Sequence, residues 1–160
     1  MGEETGLDAV DLRVLRALQA HGRASFEELS ALVALSPSAT QRRVRRLEEE
    51  GFIAGYSARV NPARVGIHLT AYINVRLEKH RENGKRGPAD EFAAAVQAWP
   101  EVVDCMALTG EMDYLLRVLV ADMEHFSAFV MDKLLRHPAV QDCKSSFVLS
   151  QVKASAVLPI

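Results

Sequence analysis

Two helix starts lie eleven residues apart, at Ser25 and Ser36, and that spacing constrains the fold more than any other feature of the chain. Ser25-Phe26-Glu27-Glu28 is a capping box: the serine accepts from the third helical N–H and the glutamate reaches back. Phe26, Leu29, Leu32 and Val33 share one face of the short helix that follows. Only Ala34-Leu35 separates it from Ser36-Pro37, an N-cap with proline at the first helical position. The next helix runs to Glu50 and stops at Gly51. Upstream, Asp8 is a candidate N-cap, with Val10, Val14, Leu15 and Leu18 at helical spacing and His21-Gly22 as the stop. Two short helices with a tight joint behind a supporting helix describe a helix-turn-helix unit.

The third helix divides by chemistry. Thr40, Val44 and Leu47 fall on one side; Ser38, Gln41, Arg42 and Arg45 fall on the other. Hydroxyl, amide and guanidinium groups are the ones that read base edges and bind phosphates. Residues 38–47 hold four arginines and no acid, and Glu48-Glu49-Glu50 close the helix. Up to residue 66 there are nine Arg or Lys and nine Asp or Glu, so the basic face is local. Over all 160 residues the net charge is −2, which excludes a globally basic nucleic-acid coat and suits a specific binder.

Asn61-Pro62 closes a short strand-like stretch from Phe52 to Val60, giving a helix-turn-helix domain over 1–61 and a second domain over 62–160. Ala63–Gly66 reads as a linker. From Ile67 the chain alternates: Ile67, Leu69, Ala71, Ile73, Val75 and Leu77 on one face, His68, Thr70, Tyr72, Asn74 and Arg76 on the other. A helical stripe at Phe92, Val96 and Trp99 ends at Pro100. Strands are expected at Val102–Leu108 and Tyr114–Ala121, joined by the turn Thr109-Gly110-Glu111-Met112. Asp122 N-caps a helix with the stripe Met123, Phe126, Val130 and Leu134, and Val140–Lys153 reads as a long closing strand. The order βαββαβ is the ferredoxin-like arrangement, so the whole chain is α+β. Two helices cover one face of such a sheet; the apolar groups on the other face are expected to bury against a second copy. Cys105 and Cys143 fall on strands at opposite edges and are expected to be reduced core thiols.

These residues resemble the leucine-responsive regulator/AsnC (Lrp/AsnC) family of transcription factors over nearly the whole chain. The carriers in the first domain are Leu7-Asp8, Asp11, Leu15, Leu18-Gln19, Gly22-Arg23, Leu29, Leu35-Ser36-Pro37-Ser38, Arg43-Val44, Leu47-Glu48 and Gly51-Phe52-Ile53. In the second they are Val103, Cys105, Thr109-Gly110-Glu111, Asp113-Tyr114-Leu115-Leu116, Pro138, Ser146-Phe147-Val148 and Val152-Lys153. The resemblance implies a helix-turn-helix that binds double-stranded DNA and a ferredoxin-like domain for effector binding and assembly. It further implies homodimers assembled into octamers or similar discs, with a small effector, usually an amino acid. The basic 79–88 stretch departs from the family pattern and reads as a solvated loop.

For DNA the candidates are Ser36, Ser38, Gln41, Arg42 and Arg45, with Gln41 suited to adenine and Arg42 or Arg45 to guanine. Arg43 is either structural or a phosphate contact, Arg46 faces phosphate or solvent, and Ser25 at a helix start can meet a phosphate. For the effector the candidate is the turn Thr109–Asp113. Gly110 admits a close backbone approach, Asp113 offers a carboxylate to an ammonium, and Tyr114 supplies a wall. The resemblance places the pocket between dimers near this turn and Ser146, with Met123 either lining it or sitting in the core. The alternative for the turn is a plain β-turn with a solvated acid.

Other classes fare worse. Gly55-Tyr56-Ser57-Ala58-Arg59 fails the G-x-S-x-G pattern, and neither a phosphate loop nor a Cys/His nucleophile pair is present. The five histidines lack metal-ligand spacing, so no catalytic residue, metal or cofactor is assigned. A sensing or assembly module without DNA binding is the remaining alternative, and the arginine-bearing helix argues against it. Without a membrane-length apolar run or a signal-peptide pattern at the start, the expected location is the cytoplasm.

Overall fold

The structure, a computed structural model, describes residues 6–78, 87–153 and 157–160. It divides into two compact units, residues 1–59 with 153–160, and residues 60–152. Most of the 79–88 stretch lies outside the described residues.

The first unit holds α1 (Ala9–Ala20), α2 (Phe26–Val33) and α3 (Pro37–Glu49). All three N-caps form as their side chains dictate. Asp8 accepts from Val10 N and Asp11 N, Ser25 completes its box with Glu28, and Ser36 accepts from Ala39 N. Between α2 and α3 the turn is made by Ala34 in the left-handed region, at φ 56°, with Leu35 N bonded to Ser30 O. The core is Val14, Leu29, Val33, Val44 and Leu47, each at most 3% exposed. Thr40 is buried too; its hydroxyl donates to Ser36 O, which settles the one polar side chain on the inner face of α3. Residues 52–60 form no strand, since no ladder partner lies beside them among the described residues. Leu158 and Ile160 line an apolar groove together with Leu7, Leu15, Leu18 and Ile53. Gln19 fastens them by exchanging hydrogen bonds with the Leu158 main chain.

The second unit opens with a short 3-10 turn over Pro62–Val65. It continues as β1 (Leu69–Leu77), α4 (Pro88–Val96), β2 (Val102–Ala107), β3 (Tyr114–Val120), α5 (Met123–Ala128) and β4 (Val140–Phe147). Strand order is β2-β3-β1-β4 with every pair antiparallel, so β2 and β4 are the edges and Cys105 and Cys143 are free thiols on opposite sides. The expected strand to Lys153 is shorter than its sequence suggests. Among the described residues β4 pairs only with β1, and the last bond between them, Val148 N to Thr70 O, falls where β1 begins. Ala71, Ile73, Val75, Leu77, Leu116, Val118 and Val120 face Phe92, Val96, Phe126, Phe129 and Leu134 in one core. The opposite face carries Tyr72, Met106, Leu115 and Leu119 among polar neighbours.

α5 widens into a π-helical segment over Phe129–Leu134, closed by Leu135 N to Val130 O. Phe126, Val130 and Leu134 are spaced by four each, slightly more than an α-helix repeats. The wider turn keeps that stripe on the sheet. Lys133 within the segment pairs with the buried Glu101 at 2.6 Å, anchoring it beside the start of β2.

Candidate nucleic-acid interface and effector site

The outward face of α3 presents a shallow groove lined by Ser38, Gln41, Arg42, Arg45, Arg46 and Glu49. Arg42 and Arg45 are exposed, and neither forms an ion pair among the described residues. Ser38 shares a 3.2 Å hydrogen bond with Ser36 at the helix start. Both hydroxyls therefore lie at the N-terminal turn of α3, where the helix dipole favours a phosphate oxygen. Ser25, the N-cap of α2, is exposed but committed: its hydroxyl lies 2.9 Å from Glu28 Oε2.

Arg43 and Arg46 are placed differently. Arg43 Nη1 lies 2.7 Å from both Asp8 Oδ2 and Asp11 Oδ1. Arg46 Nη2 bonds to Asp11 Oδ2, and its Nη1 lies 3.9 Å from Glu50. Asp11 is 1% exposed. Burial by itself pushes its carboxyl up, but the Asp8 N–H and the two guanidiniums outweigh that and hold it at about 2. The N-cap and first turn of α1 are thus clamped to the flank of α3. That role of Asp8 and Asp11 was not read from the sequence. The signal was available: two acids and two arginines, each pair three residues apart. Tyr56 adds a second tie, its hydroxyl donating to Glu48 at 2.9 Å; burial and that bond push its ionisation up to about 12.

In the second unit the turn Thr109–Asp113 is locked to β1. Asp113 N donates to Val75 O, Leu108 N donates to Asp113 O, and Leu77 N donates to Asp113 Oδ2 at 2.7 Å. Gly110 has φ 120°, a backbone conformation that side chains resist. Asp113 and Tyr114 line a cavity with Leu77, Glu78, Pro88, Ala89 and Ala107. Tyr114 is steadied by Phe92, with ring centres 5.1 Å apart. Arg76 Nη2 lies 3.6 Å from Glu111 beside this turn. Within one chain, Met123 and Ser146 are not brought to it. Ser146 pairs with Tyr72, five residues back along β1 from Leu77, or about 17 Å of strand. Met123 follows the end of β3 at Val120, whereas the turn precedes its start at Tyr114. Among the described residues no group of three or more His, Cys, Asp or Glu is placed to hold a metal ion. No helix among them is long and apolar enough to cross a membrane.

A helix-turn-helix with an outward basic face, joined to a ferredoxin-like domain with a turn-bounded cavity, defines a class of ligand-responsive DNA-binding regulators. Residues 7–48 match the AsnC-type helix-turn-helix domain and residues 70–158 the Lrp/AsnC ligand binding domain. The chain belongs to the Lrp/AsnC family of transcriptional regulators. It is 38% identical over 154 residues to the Bkd operon transcriptional regulator of Pseudomonas aeruginosa, covering 96% of this chain and 98% of that one. The leucine-responsive regulatory protein of Escherichia coli is also 38% identical, with 96% and 92% covered. Among solved structures, a Neisseria meningitidis transcriptional regulator in complex with L-Met superposes with a TM-score of 0.90 at 46% identity, covering 96% of each chain.

Proposed function

We propose that this regulator reads a specific DNA sequence with the outer face of α3 and that an amino acid controls its assembly and DNA occupancy. The observation that carries the reading is that Arg42 and Arg45, beside Gln41 and Ser38, have no ionic partner among the described residues, on a helix held from behind by Thr40, Val44 and Leu47. Gln41, Arg42 and Arg45 contact base edges, while Ser36 and Ser38 lie where phosphates pass.

The effector is an amino acid whose ammonium meets Asp113 in the cavity beside Tyr114. The L-Met complex of the Neisseria relative supports that ligand class. Thr109 and Gly110 offer main-chain groups to its carboxylate. Because Ser146 and Met123 lie at the other end of the sheet, they join such a site only from a neighbouring chain. That arrangement fits a pocket shared between dimers. Homodimers form through the open sheet face, where Tyr72, Met106, Leu115 and Leu119 need cover, and these dimers build an octamer or similar assembly in the cytoplasm. A ligand bound between dimers stabilises the assembly that presents the better pocket and so shifts DNA occupancy.

A thermal-shift screen of the twenty amino acids, followed by a gel shift on the protein's own upstream region, tests the reading. One or a few amino acids raise the unfolding midpoint by mass action and change the gel shift. Absence of both effects contradicts it.

A further inference from the structure

The four arginines of α3 fall into two pairs, Arg42 with Arg45 and Arg43 with Arg46, each three residues apart and offset by one residue, about 100° around the helix. Their environments differ, although Arg46 also lines the outward groove beside Arg42 and Arg45. The first pair is exposed and without ionic partners among the described residues. The second is half-buried and faces two acids at the start of α1, the N-cap Asp8 and Asp11, with Asp11 accepting from both arginines and Asp8 from Arg43. Two acids thus neutralise two arginines, and Glu50 stands beside Arg46 as well.

A cation that meets only phosphates strengthens binding to every sequence alike, because phosphates carry no sequence information. Four free arginines on one short helix would raise random-sequence affinity along with operator affinity. Resting on the DNA-binding reading above, we propose that Asp11 is a positioning residue for specificity: it holds Arg43 and Arg46 off the phosphates and leaves only Arg42 and Arg45 to engage DNA. Burial suits the carboxylate to this role. Asp11 at 1% exposure is costly to leave unpaired, so its grip on the guanidiniums persists when α3 approaches the polyanion.

The test is the salt dependence of binding, measured on the full chain with a random-sequence duplex over a potassium chloride series. Each phosphate newly neutralised steepens the log K against log salt slope by about 0.9. Asp11→Asn keeps the side-chain shape and an oxygen for the Asp8 N–H. It should steepen the slope by about 0.9 to 1.8 per bound chain and lower the ratio of upstream-region to random-sequence affinity. Adding Arg46→Gln to Asp11→Asn should take back about 0.9 of that steepening. A second comparison needs no change at Asp11: Arg45→Gln should flatten the slope more than Arg46→Gln does. A cooperatively folding Asp11→Asn chain with the parental slope overturns the inference. So does an Arg46→Gln chain that loses as much slope as Arg45→Gln, which decides the matter if Asp11→Asn fails to fold. A parent chain that binds no duplex overturns the DNA-binding reading itself, and this inference with it.

Discussion

Asp113 accepts a hydrogen bond from the Leu77 main-chain N–H through Oδ2 at 2.7 Å, so the acid of the candidate effector site also fastens the turn to β1. The two roles separate by substitution. Asp113→Asn keeps an oxygen for Leu77 and removes the charge: amino-acid binding falls at least about tenfold while the unfolding midpoint stays near the parent value. Asp113→Ala loses both, and stability drops by about 1–2 kcal/mol as well. Calorimetric titration with the amino acid found by the screen, together with a thermal melt, checks this. If the Asn variant binds like the parent, Asp113 is a turn residue alone.

Arg45 projects from α3 without an ionic partner among the described residues, whereas Val44 and Leu47 hold the helix from the core side. Arg45→Ala should weaken binding to the upstream region by about 1–3 kcal/mol if the side chain reads a base. The melting curve should not move. A footprinting titration measures the loss, and parental affinity would remove Arg45 from the interface.

Ala34 closes α2 in the left-handed region, where a Cβ is disfavoured by about 1–2 kcal/mol. Glycine removes that penalty at some cost in unfolded-chain entropy. Ala34→Gly should therefore stabilise the chain by about 0.5–1 kcal/mol, read as a higher denaturant midpoint at unchanged slope. A lower midpoint would mean that the alanine methyl packs in a way that outweighs its backbone strain.

Asp11 ionises at about 2 in the folded chain against 3.8 ordinarily. A depressed carboxyl contributes stability that is present above the unfolded value and lost as pH falls through the folded one. The contribution is about 2 kcal/mol above pH 4, declining between roughly pH 4 and 2. Asp11→Asn should flatten the acid limb of the stability curve in that window and leave its slope above pH 5 unchanged. Denaturant titrations at a series of pH values give both slopes, and an acid limb as steep as the parent's would show that Asp11 is not a source of it.

What could be read from the sequence was what depends on near neighbours. Ser25 with Glu28 and Ser36 with Pro37 announce their helices because caps act within four residues, and the alternation from Leu69 to Leu77 announces β1 because a pleat repeats every two. Thr40, Val44 and Leu47 could be assigned to the core from helical spacing alone. Contacts between distant positions could not be reached this way. The clamp from Asp11 to Arg46 spans thirty-five residues, and Gln19 meets Leu158 across 139. The end of β4 at Phe147 depends on where its partner begins, which local pattern does not carry. The same limit applies to the effector site: Thr109–Asp113 forms a legible turn, but the separation of Ser146 and Met123 from it follows from strand register.

A fluorescence anisotropy titration of the full chain tests DNA recognition and amino-acid control together. The upstream-region duplex and a scrambled duplex of equal length are each titrated at one salt concentration, with and without the amino acid that raises the melting temperature. The upstream duplex should bind at least about 10³-fold more tightly than the scrambled one, and the amino acid should change that affinity. Equal binding to both duplexes, unmoved by any of the twenty amino acids, would contradict it.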